Sequence, residues 1–206
     1  MKFDPNHLPV NWFDFAVVII LIFGYSRGRK HGMSVEMMYL LQWIAMIFGA
    51  AYAYKPCGDY LAGSTVISHL TCYIIAYLVT LIVIRIVFLL IRRAIGGKLV
   101  GSNVFGSGEY YLGMLGGVLR YACILIAVLA LLNSRHYTVK EILTREKYIN
   151  DVYGSDFFPS LHTIQKMVFQ DSLLGPPVKK YLSFLLIKPT DPENRQIKTK
   201  EPDLPE

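Results

Sequence analysis

Charge and reactive side chains are what this sequence has least of. Only 17% of its 206 residues are Asp, Glu, Lys or Arg, while 53% are hydrophobic. An ordinary soluble domain carries about 25% charged residues, so the scarcity points to the bilayer as the solvent. The cysteines are Cys57, Cys72 and Cys123, an odd set without C-x-x-C spacing, so neither a disulfide framework nor a zinc site is expected.

Catalytic signatures are missing as well. The sequence has no H-E-x-x-H, no G-x-S-x-G serine and no phosphate-binding loop, and the cluster GSNVFGSGEYYLG lacks both the lysine and the glycine spacing of a nucleotide site. An intramembrane aspartyl pair needs two aspartates, and only Asp14 lies within an apolar segment. His69, His136 and His162 stand at segment ends or in polar stretches with no matched acid or thiol, which suits surface or capping roles. These absences predict a protein that is not an enzyme and takes no cofactor and no metal. The formal charge is +6, yet no basic run interleaved with aromatics stands apart from the apolar segments, so no nucleic-acid partner is expected. No internal repeat is visible, and the inverted repeat of many transporters is therefore missing.

What the sequence does contain is length in apolar runs. A hydrocarbon core of roughly 30 Å takes about 20 helical residues. Residues 33–54, 69–91 and 112–132 meet that length, and 10–26 comes close despite Asp14. The expected architecture is all-α: a polytopic membrane protein with four transmembrane helices over residues 1–133. The first segment lacks an A-x-A cleavage site and is followed by SRGRKHG, so it reads as a retained helix rather than a signal peptide. Trp12 and Tyr25 near its ends suit the interfacial belts.

Short loops set the expected orientation. Arg27, Arg29 and Lys30 follow the first segment, and Arg92, Arg93 and Lys98 follow the third, whereas the other side has Lys2 and Lys55. The positive-inside rule puts both basic loops in the cytoplasm and both termini outside. Arg135, Lys140, Arg145 and Lys147 weigh against this, but they belong to a longer region.

Beyond Asn133 the composition turns polar and aromatic, and residues 134–187 are expected to form extramembrane amphipathic helices. Thr138 to Glu141 has capping-box spacing and predicts a helix over 139–151. Asp156 to Pro159 can open another, with Phe157, Leu161, Ile164 and Val168 on one stripe. The stretch VKKYLSFLLI is too short to span and is expected to lie along the interface, with Lys179 and Lys180 snorkelling. The Pro-rich, charged tail over 188–206 is expected to be disordered.

The informative residues are the ionisable ones inside the apolar segments: Asp14, Glu36, Arg85 and Arg120. A central charge costs roughly 2.5 to 3.5 kcal/mol on insertion scales, so each needs a partner or a route to water. At 1.5 Å per residue, Arg85 and Arg120 lie about 10 and 12 Å from the basic ends of their helices, and Glu36 is on the same half. Each arginine is expected to snorkel to headgroups or hydrogen-bond backbone carbonyls; Glu36 pairing with Arg85 or Arg120 is compatible in depth and is the alternative. Asp14 is near the opposite surface. The small residues have a packing role: Gly113-x-x-x-Gly117 clears one face of the fourth helix, and Gly49, with Ala45 and Ala53, clears one of the second.

Three stretches in order, WFDFAVVIILIFGY, HGMSVEMMYLLQW and EYYLGMLGGVLR, resemble the colicin V production protein (CvpA) family. The similarity lies in Asp14 of the opening helix, in Gly32, Glu36 and Trp43, and in Gly113, Gly117 and Arg120. His31, Glu109-Tyr110 and Tyr121 depart from the family pattern. The resemblance implies a bacterial inner-membrane protein of four helices, connected with toxin production or export and without enzymatic chemistry. Expected partners are the lipid bilayer, other membrane or export proteins, and further copies of the chain. The expected function is an accessory or scaffold role, with a small oligomeric transporter or channel as the alternative.

Overall fold

The computed structural model describes residues 11–95, 106–138, 141–144 and 160–190. The long elements are α1 (Trp12–Ser64), α2 (His69–Ile95) and α3 (Glu109–Leu132), with a single 3₁₀ turn at Gly106–Gly108 before α3. Two short helices follow, α4 (Leu161–Phe169) and α5 (Gly175–Tyr181). α1, α2 and α3 are each long and apolar enough to cross a membrane.

α1 is not one rod. Its 53 residues are interrupted at Gly32, where φ is 71° and ψ 166°. A straight helix would separate Phe13 from Tyr54 by about 60 Å at 1.5 Å per residue. Both nonetheless belong to one buried cluster with Leu129 and Ala130 at the end of α3. The chain therefore turns back at Gly32 into a helical hairpin with arms 12–31 and 33–64. That φ/ψ combination is open essentially to glycine alone, which fixes the turn to this residue.

Both arms pack on α3. The first arm runs antiparallel to it, with Gly28 against Gly113, Gly24 against Gly117, and Phe23 against Tyr121 at a centroid distance of 5.6 Å. The second arm runs alongside α3 in the same direction, and Ile47 buries against Ala127. α2 lies antiparallel to the second arm, where Gly58 admits the Tyr73 ring, Gly49 admits Ile84, and Tyr39 meets Arg92. Only 11% of the apolar window of α2 is buried, so most of this helix faces outward.

The C-terminal unit closes one end of the bundle. Asn133 Nδ2 donates to the Ile187 carbonyl at 2.9 Å, and the Lys188 amide donates to Tyr54 Oη at 3.4 Å. Gln165 Nε2 donates to the carbonyls of Leu132 and Arg135. Val168, Phe169, Leu186 and Ile187 enter the core cluster beside Phe13 and Tyr77.

Several boundaries differ from expectation. The stretch 26–31 is helical up to Gly32 rather than a basic loop, because its Arg and Lys are good helix formers. The second segment continues to Ser64 through Pro56. The carbonyl that Pro56 leaves unbonded belongs to Tyr52, whose 85% exposure keeps it accessible. In VKKYLSFLLI the helix stops at Tyr181, and Leu185, Leu186 and Ile187 turn into the core. Lys188 to Thr190, placed in the tail by composition, are held by a bridge between Arg135 and Thr190. Residues 141–144 are helical; the rest of 139–151, residues 156–159 and the tail over 191–206 lie outside the described residues.

Candidate functional site: a buried ion pair on a glycine seam

The site begins with three glycines spaced by four, Gly24, Gly28 and Gly32, which fall on one face of the first arm. They face Gly117, Gly113 and Glu109 of α3 in antiparallel register. A Cβ on Gly28 would meet the Gly113 carbonyl, and one on Gly113 would meet the Gly28 carbonyl at 2.7 Å. The two backbones thus approach as closely as helices can, which in lipid brings dispersion contacts that bulkier faces forgo.

Just past the turn, the seam delivers Glu36 to Arg120. Arg120 Nη1 donates to both carboxylate oxygens, at 3.0 Å to Oε1 and 2.7 Å to Oε2. The Glu36 side chain is 0% exposed and that of Arg120 10%, so solvent screens neither. Arg120 also has the Tyr39 and Tyr121 rings 5.1 Å from its guanidinium carbon, and its Nε is buried without a hydrogen-bond partner. The pair therefore uses one guanidinium nitrogen for both oxygens rather than the two-nitrogen fork that gives the strongest geometry.

Neighbouring groups tie the pair to the basic end of the bundle. Arg92 Nη2 donates to Tyr39 Oη at 3.0 Å, which links α2 to the second arm. His31 Nδ1 lies 2.9 Å from the Arg27 carbonyl, a hydrogen bond within the first arm, and 3.6 Å from Glu36 Oε1, beyond hydrogen-bond range. Glu109 packs over Gly32, and its Oε1 accepts from the Ser34 amide at 3.3 Å. Arg29 stacks 5.1 Å from the Tyr110 centroid.

The remaining residues of interest lie elsewhere. Asp14 is buried at the other end of the bundle, where its carboxylate accepts from the Asn11, Leu173 and Leu174 amides at 3.0 to 3.2 Å. It completes the capping box of α1 and ties the turn before α5 to the bundle. Arg85 is exposed on α2 and forms no ion pair among the described residues. Gly49 faces Ile84 and belongs to the α1–α2 contact, away from the charged pair.

Sequence reasoning favoured arginines that act alone over a pairing of Glu36 with Arg85 or Arg120; the structure joins Glu36 to Arg120. It missed Gly24, Gly28, Tyr39 and Arg92. The signal for the glycines was legible in FGYSRGRKHG, whose four-residue spacing is a double small-xxx-small pattern. Chemically the arrangement neutralises charge and locks helices together. Among the described residues, no group of three His, Cys, Asp or Glu side chains is placed to hold a metal ion.

Comparison with known proteins fits this geometry. No curated protein and no solved structure matches the chain. Residues 13–163 match the family described as colicin V production protein, an extent that takes in the hairpin, the glycine seam, the ion pair and part of α4. That match covers well over half of the sequence, and the chain belongs to the colicin V production protein family.

Proposed function

We propose that this chain is an accessory or scaffold component of an export or envelope process in the bacterial inner membrane, of the kind the family name ties to toxin production. The observation that carries the reading is the closed state of the Glu36–Arg120 pair. A proton or substrate relay needs a charged group that meets water during its cycle, whereas Glu36 is fully buried with both oxygens engaged. A buried pair set in a backbone-to-backbone seam acts as a lock between helices. In this reading the chain performs no covalent chemistry.

The same reading has each arm of α1 cross the bilayer, giving four spans with α2 and α3. The first arm, 12–31, covers about 30 Å, one hydrocarbon thickness. Arg27, Arg29, Lys30, Arg92 and Arg93 gather at the Gly32 end, which the positive-inside rule assigns to the cytoplasm. The C-terminal unit then sits on the periplasmic side, where it offers a partner a surface that Asp14 and Asn133 hold in place. Crosslinking in intact membranes followed by pull-down tests this: distinct membrane or envelope proteins are expected, and recovery of only lipid and self refutes it.

One observation favours a second reading, a small oligomeric transporter or channel. Arg85 is exposed on an outward apolar face of α2, where contact with further copies of the chain would give it a polar neighbour. Flux in proteoliposomes that Arg85→Leu abolishes would support it, and the absence of flux in the wild type under every gradient would remove it.

A further inference from the structure

The end of the bundle that carries the C-terminal unit contains a cavity of about 220 Å³ between the end of α3, α4 and α5. Its walls carry Arg135, Lys166 and Lys179, with the amide side chains of Asn133, Gln165 and Gln170. His136 and His162 also line it, and no carboxylate among the described residues does. Glu141 lies outside the lining, 3.7 Å from Arg135 Nη2, and offsets one charge; Arg135 Nε remains buried without a hydrogen-bond partner. Arg135 and the exposed Lys166 and Lys179 thus gather positive charge around one concavity, which favours an anion there.

We propose that this cavity binds a phosphate-bearing anion, supplied either by the headgroup of an acidic phospholipid or by free phosphate. At about 220 Å³ it far exceeds the space a single water needs and admits a phosphate with a small substituent. Arg135 offers a planar donor group suited to phosphate, and Lys166 and Lys179 act as point charges at the rim. The other face of α4 borders an apolar groove of about 490 Å³ lined by Ile164, Val168, Leu132 and Val128. That groove gives an acyl chain a place beside the cationic cavity. The proposal stands independently of the scaffold reading, because it concerns a site remote from the Glu36–Arg120 pair.

The test uses the full chain in a zwitterionic detergent, titrated with phosphatidylglycerol, phosphatidylcholine or inorganic phosphate and followed by thermophoresis. Saturable binding of phosphatidylglycerol, with phosphatidylcholine and phosphate inactive, identifies the lipid headgroup. Saturable binding of inorganic phosphate identifies the free ion. In either case Lys166→Gln is expected to weaken binding roughly tenfold and the Lys166→Gln/Lys179→Gln pair further, as loss of charge-assisted contacts does. Gln170→Glu, which adds an opposing charge without removing a cation, is expected to weaken it similarly, while Arg93→Gln at the other end of the bundle leaves it unchanged. The proposal is overturned if no probe binds, if phosphatidylcholine binds as well as phosphatidylglycerol, or if the cavity variants bind like wild type. Equal weakening by Arg93→Gln also overturns it, because diffuse surface charge would then be responsible.

Discussion

Removing one partner of the Glu36–Arg120 pair is expected to be far more damaging than removing both. Glu36 is fully buried and Arg120 nearly so, so a single neutral substitution strands an unscreened charge. Such a loss costs about 3–5 kcal/mol, which in a chain of this size lowers Tm by roughly 10 °C. The two singles should not be equal. Arg120→Leu strands a carboxylate, whereas Glu36→Gln strands a guanidinium, which is always charged and carries five donors that need partners. The Tyr39 and Tyr121 rings, each 5.1 Å from its central carbon, return only about 1–2 kcal/mol apiece. Glu36→Gln should therefore be the worse single. The Glu36→Leu/Arg120→Leu double should recover to near wild-type stability, since an apolar pair of similar volume avoids the desolvation cost. Thermal unfolding of the four proteins in one detergent measures this. A double as unstable as Glu36→Gln, or an Arg120→Leu worse than Glu36→Gln, would refute the account of the pair as a mutually neutralising lock.

Other substitutions probe the seam and the clamp. Gly28→Ala places a methyl against the Gly113 carbonyl backbone, which cannot yield, and should cost at least about 2 kcal/mol, while Gly63→Ala, whose Cβ meets nothing within 4 Å, should leave the melting profile unchanged. Gly32→Ala forces a side chain into a glycine-only conformation 3.0 Å from Glu109 Cγ; a loss of about 1–3 kcal/mol is expected, and an unaltered Tm would show that the turn is not where the chain reverses. Asp14→Ala removes three amide contacts at once and should release the C-terminal unit before the bundle melts. Hydrogen exchange should then quicken over residues 171–175 with α3 still protected, and uniform protection would contradict the clamp.

The helices of this protein were legible because long apolar runs leave little choice in lipid, and Gly113-x-x-x-Gly117 lies on one side of a close helix contact. Two features were hidden for physical reasons. SRGRKHG looks like a loop by charge, yet its residues continue the helix until Gly32, because propensity acts locally while charge placement reports only on depth. Pro56 and Gly58 look like breakers, yet the helix persists because Gly58 receives the Tyr73 ring and Tyr73 Oη donates to Asp59 at 2.6 Å. Leu185 to Ile187 defeated local reading for a similar reason. Their burial is decided by Tyr54 and Asn133, more than fifty residues away, which no window along the chain contains.

The ion pair selects one register among those the glycine seam admits, and this explains why an arginine is retained where lipid would disfavour it. Sliding α3 by one turn, about 5.4 Å, moves Arg120 out of hydrogen-bond range of Glu36. In one direction the slip also sets Glu109 against Gly28; in the other, Gly28 and Gly32 still meet Gly117 and Gly113, so the ion pair alone opposes it. Apolar helices in a bilayer have no hydrophobic force to hold one alignment over another, so packing alone discriminates weakly among neighbouring registers. A buried charge changes that balance, because every misaligned register leaves Glu36 and Arg120 unpaired at several kcal/mol. The energetic role of Arg120 thus lies in making the alternatives costly, a role that requires the pair to stay closed and dry.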